Sequence, residues 1–143
     1  MPKGTVLAFD FGLKRIGVAV GELELGMAHP LATLNGGDAV QTMTAINRLV
    51  KEWRPNLLIV GYPRREDGRP HALSGAVEQF VAALKNHTRL EVVLSDESYS
   101  SAAASLALRD AGVSGYKQKA MLDSVAAQEI LQGYFENNGI AAR

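Results

Sequence analysis

The run Asn56 to Gly61, NLLIVG, constrains this chain more than any other six residues. It is almost wholly apolar and short, and polar turn signals flank it. A strand with that composition belongs in a sheet covered on both faces, as in parallel α/β architecture. The segment before it is helical in pattern. Val40, Met43, Ile46, Leu49, Val50 and Trp53 recur at three- and four-residue steps, predicting a helix from Ala39 to Trp53. Asp38 is its candidate N-cap and Pro55 its stop. After a polar loop from Tyr62 to Pro70, helical spacing returns from Leu73 to Leu84, and Leu90 to Leu94 reads as another strand.

The first third differs. Thr5 to Phe11 and Arg15 to Val20 are β-like runs joined by a tight turn at Gly12-Leu13-Lys14, which predicts a hairpin. A third strand is expected around Gly26 to Thr33. Toward the other end, a helix starting at Ser100 or Ser101 runs through about Asp110. A loop from Gly112 to Lys119 then leads into a last helix from about Met121 to Phe135. The order β-β-β-α-β-α-β-α-α gives an α/β domain with a five-stranded mixed sheet, its first three strands antiparallel, flanked by helices. The 143 residues suit one domain spanning 1–143. Trp53 and the methionines read as core filling.

Composition removes some functions. Cysteine is absent, which excludes a disulfide framework, a thiol nucleophile and a thiolate metal site. Lys+Arg and Asp+Glu both number 15, so bulk attraction to nucleic acid is absent and any such binding must use local patches. No export signal or membrane-length apolar stretch is visible, so no membrane partner is expected and the cytoplasm is the default compartment.

Three acidic positions stand out. Alternation puts Leu7, Phe9 and Phe11 on one strand face and Ala8, Asp10 and Gly12 on the other. Asp10 therefore sits among small neighbours, with room for a ligand. Asp96 and Glu97 follow the Leu90–Leu94 strand, where ligands of open α/β sheets tend to bind. Asp123 opens the last helix in this reading. Ala126 and Ala127 share its face, so that helix end could approach a strand closely. Taken singly, each acid has an ordinary explanation: a turn bond, a helix cap, or charge near a helix N-terminus. Together they mark positions that one cleft could collect. Oxygen ligands of this kind suit Mg²⁺ or Mn²⁺, and a two-metal site could hydrolyse phosphodiesters. Spacing does not separate Asp96 from Glu97. Basic residues fall in nearby loops: Lys14 and Arg15, then Arg64, Arg65 and Arg69, then Lys117 and Lys119. They are candidates for phosphate contact, although each singly is ordinary surface charge. His29, His71 and His87 show no metal spacing.

These residues form a pattern. Asp10-Phe11-Gly12-Leu13-Lys14-Arg15-Ile16-Gly17, Gly61-Tyr62-Pro63, Asp67-Gly68, Asp96-Glu97 and Asp123-Ser124-Val125-Ala126-Ala127 together resemble the YqgF family of Holliday junction resolvases and pre-16S rRNA nucleases. The resemblance implies an RNase H-like fold and a metal-dependent endonuclease. It makes Asp10, Glu97 and Asp123 the acidic triad. It implies action on structured RNA, in maturing the 5′ end of small-subunit ribosomal RNA, or on branched DNA. The small ribosomal subunit precursor would be the partner, and the state a monomer or weak homodimer. One departure is plain: the family usually has Arg after the Asp-Glu pair, and here Ser98 stands there. Ser lacks the forked charge of Arg, so substrate grip or rate is affected while the metal ligands are kept. Two other readings are a nucleic-acid- or ribosome-binding protein without turnover, and a fragment of a sugar-kinase- or chaperone-like ATPase.

Overall fold

The computed structural model describes residues 4–62, 74–96 and 115–138. Within them the chain runs β1 (Thr5–Asp10), β2 (Arg15–Glu22), β3 (Met27–Asn35), α1 (Ala39–Trp53), β4 (Leu57–Tyr62), α2 (Ser74–Thr88), β5 (Glu91–Asp96) and α3 (Gly115–Asn137). The five strands form one sheet in the order β3-β2-β1-β4-β5. β1, β2 and β3 pair antiparallel, while β1–β4 and β4–β5 are parallel. The mixed sheet expected from the sequence is therefore present, with β1 joining its two halves.

Strand alternation divides the core into two layers. Leu7 and Phe9 of β1, with Phe11 just beyond it, face Met43 and Ile46 of α1 and Val77, Phe80 and Leu84 of α2. The ring of Phe80 meets Phe9 edge-on at 5.9 Å and Phe11 at 4.9 Å. Val6 and Ala8 face the other way, onto Ala127, Ile130, Leu131 and Phe135 of α3. Helices thus cover both faces, which explains why β4 is buried from Leu57 to Gly61.

Capping sets the bounds of α1. The Asp38 carboxylate accepts from the amides of Val40 (2.9 Å) and Gln41 (3.2 Å). At the other end Arg54 turns left-handed (φ 48°) and its amide closes on the Val50 carbonyl. Pro55 follows and cannot continue the helix. The apolar stripe of α1 is buried only at its middle. Val40 is 75% exposed and Trp53 lies at the exposed end of the stripe, so Trp53 does not fill the core. Met27, which opens edge strand β3, is also exposed, whereas Met43 is buried.

The last helix is longer than its apolar pattern. It begins at Gly115, so Lys117 and Lys119 lie in α3 and not in a loop. The segment GYKQKA lacks the apolar spacing that marks a buried helix, but Lys, Gln and Ala are good helix formers. The expected helix through Asp110 falls outside the described residues.

β3 carries Pro30 at the sheet edge, where a missing amide donor costs no ladder bond. There the register slips so that Leu31 is an extra residue between the pairs Val18–Ala32 and Ala19–Pro30. α3 covers the start of this edge with two glutamines. The Gln128 side-chain amide donates to the Ala28 carbonyl (2.9 Å), and that of Gln132 to the Gly26 carbonyl (3.1 Å). The Ala28 amide donates to Gln132 Oε1 (3.1 Å).

Candidate active site

Asp10 is the last residue of β1. Phe9, Val60 and Leu94 form one row across β1, β4 and β5, so Asp10, Gly61 and Ser95 come next at the carboxyl edge of the sheet. Ala8, Ile59 and Val93 lie beneath them on the α3 face. Alternation therefore puts Asp10 on that face too, as the sequence predicts.

The decisive contact involves a glycine. Asp10 pairs with Gly17 across the β1–β2 ladder. A Cβ built on Gly17 would overlap the backbone carbonyl oxygen of Asp123. Residues opposite one another in a ladder stand roughly 5 Å apart and present the same face. Asp10 and the α3 backbone at Asp123 therefore flank Gly17 on one side of the sheet. Ala126 and Ala127, one turn on, are both buried, which completes the close approach expected of this face. A glycine within a strand often marks where another backbone comes near. That signal sits in the sequence at Gly17 but has no partner until the fold supplies one.

Asp123 itself lies eight residues after Gly115, in the third turn of α3. Favourable charge at a helix N-terminus therefore does not explain it. Its carboxylate accepts a 2.6 Å hydrogen bond from Nε of Arg15, the first residue of β2. Arg15 is thus a partner of the acidic site. Lys14 precedes it in the exposed turn, where its carbonyl accepts from the Gly36 amide. That turn is tight: a Cβ on Gly12 would lie 2.6 Å from the Arg15 carbonyl oxygen.

Asp96 closes β5 opposite Tyr62. Glu97, Ser98 and Arg64, Arg65 and Arg69 lie outside the described residues. Lys117 and Lys119 precede Asp123 along α3, Lys119 by one turn. The described residues thus bring Asp10, Arg15 and Asp123 together, with Lys14 adjoining. Among them no three acids or histidines form a metal-binding group. Asp10 and Asp123 supply hard oxygen donors of the kind magnesium and manganese take.

Helices on both faces of a five-stranded mixed sheet, with Asp10 at the end of its central strand and Asp123 beside it on α3, make this an RNase H-like fold of the resolvase type. The chain belongs to the RuvX family, described as Holliday junction resolvase, whose model matches residues 4–137. It is 50% identical over 133 residues to a protein of Nitrosospira multiformis named "Putative pre-16S rRNA nuclease", covering 93% of this chain and 88% of that one. A relative of the same name from Chromobacterium violaceum is 49% identical over 136 residues, covering 94% and 99%. Among solved structures, Thermus thermophilus RuvC aligns over 96% of this chain and 98% of its own, at 13% identity and TM-score 0.54. The fowlpox virus Holliday junction resolvase aligns over 94% and 99%, at 17% identity and TM-score 0.53. These two share the fold. Among the described residues no helix is long and apolar enough to cross a membrane.

Proposed function

We propose that this chain is a divalent-metal-dependent endonuclease acting on structured RNA, in maturation of the 5′ end of pre-16S ribosomal RNA. The observation that carries the site is the flanking of Gly17 by Asp10 and the α3 backbone at Asp123. Two carboxylates so placed repel one another, which a cation relieves. Asp10, Asp123 and, from the motif, Glu97 would hold Mg²⁺ or Mn²⁺. An ion held there would supply Lewis-acid chemistry for an attacking water and for the leaving oxygen of a phosphodiester. The relatives' names favour precursor ribosomal RNA as the substrate.

The chain's own residues supply the rest. Asp10 and Asp123 fix the donor oxygens on a rigid strand and helix. Lys14 and Arg15 line the adjoining turn, and Lys117 and Lys119 lie in the first turns of α3, so local positive charge offsets a net charge of zero. Arg64, Arg65 and Arg69 are further phosphate contacts in this reading. A cytoplasmic location fits a ribosomal RNA substrate.

Cleavage of a precursor ribosomal RNA fragment, in Mg²⁺, Mn²⁺ or EDTA, tests this, with a four-way DNA junction alongside. Metal-dependent RNA cleavage lost in Asp10→Asn is the expected result. Preference for the junction would move the substrate to branched DNA. Ser98 in place of the usual Arg favours one second reading, a binding protein without turnover. Binding without cleavage under every ion would establish that reading.

A further inference from the structure

We propose that Arg15 is a built-in counter-cation of the acidic site, competing with a divalent ion for Asp123. This inference rests on the metal-site reading above. Arg15, Gly17 and Ala19 have the same parity along β2, so Arg15 lies on the α3 face, two residues from the glycine that seats Asp123. Its Nε reaches Asp123 Oδ2 at 2.6 Å, across 108 residues of sequence. Charge-assisted bonds of this length are among the stronger polar contacts of a protein. Yet the Arg15 side chain is 44% exposed and that of Asp123 22% exposed, so water and salt screen the pair. Such a pair holds the carboxylate in place and gives way at small cost.

The guanidinium occupies a carboxylate oxygen that a divalent ion would use. It also carries a positive charge where a second cation would sit. Occupancy by one therefore disfavours the other. Without a divalent ion, Arg15 neutralises Asp123 and keeps the carboxylates from pushing the strand and helix apart. With one bound, Arg15 swings into the solvent beside Lys14, at the rim of the site.

Calorimetric titration with Mn²⁺ tests this on wild type, Arg15→Gln, Arg15→Lys and Asp10→Asn. Removing the competitor and its charge should tighten Mn²⁺ binding about three- to tenfold in Arg15→Gln. Arg15→Lys, which keeps the charge, should stay near wild type. If Arg15 merely braces α3 against β2, Arg15→Gln loosens Asp123, and its affinity is unchanged or weaker; that result overturns the proposal. A second readout uses the unaltered protein. The Arg15 Nε–H resonance should move toward that of solvated arginine as Mg²⁺ is added, and a fixed resonance at saturating Mg²⁺ overturns the proposal as well. Binding by wild type that is lost in Asp10→Asn upholds the metal site whichever way Arg15 behaves. No binding by any variant overturns both.

Discussion

At the scale of single residues, Asp10 and Asp123 have different supports. Asp10 is fixed by the sheet and Asp123 by a helix that meets the sheet at Gly17. Replacing either by Asn keeps the shape and removes the charge. Cleavage should fall at least about a hundredfold, the scale at which one preorganised group acts, with the circular dichroism spectrum unchanged. Glu129 makes a different case. It is partly buried on α3, and desolvation pushes its carboxyl above the usual value. The folded state thus holds this proton more tightly than the unfolded chain. Its contribution to stability is full below the ordinary carboxylate pKa and is lost as pH rises through the raised value. Glu129→Gln should therefore raise the melting temperature at neutral pH, and the difference should vanish below about pH 4. Melting curves of both proteins across that range decide it.

The alternation that put Asp10 opposite Phe9 and Phe11 was legible from six residues, because strand parity is a local property. The pairing of Arg15 with Asp123 was not. Nothing local in Lys14-Arg15 distinguishes a phosphate contact from a carboxylate partner 108 residues away.

At the scale of elements, legibility follows the capping chemistry. Both ends of α1 were readable, because Asp38 accepts two amides at one end and Pro55 blocks the other. The start of α3 was not, because its first turns carry no apolar stripe. The β2–α3 contact shows the same contrast. Ala126 and Ala127 announced a close approach, but the strand that receives it is set by the sheet order. Gly17, Ala19 and Gly21 form the small-residue row of β2 on that face, with Gly21 against the Phe135 ring. Gly17→Ala would insert a methyl group into the Asp123 carbonyl, a backbone atom that cannot rotate away. We expect a loss of about 1–3 kcal/mol, the usual cost of overpacking, measured by urea denaturation. Cleavage should fall by more than the unfolded fraction explains, since α3 must shift away from Asp10.

At the scale of the whole molecule, the two sheet edges need protection, because an open edge is a template for pairing with another chain. α3 protects the β3 edge through Gln128 and Gln132, which occupy the Ala28 amide and the Gly26 and Ala28 carbonyls. Three hydrogen bonds at about 0.5–1.5 kcal/mol each are at stake. Gln128→Ala with Gln132→Ala should therefore lower stability and also promote self-association at high concentration. Sedimentation velocity over a concentration series would detect it, and a sedimentation coefficient unchanged from wild type would show that the bulge and Pro30 suffice. The net charge of zero leaves no long-range repulsion to oppose such association.

The seat of Asp123 on Gly17 also has a consequence in time. Asp10 is synthesised more than a hundred residues before Asp123, and Asp123 is positioned only once α3 has docked against Gly17. A nascent chain that has not yet extended through α3 carries Asp10 without Asp123, half of the proposed acidic site. Synthesis order thus makes the docking of α3 the step that assembles the proposed site.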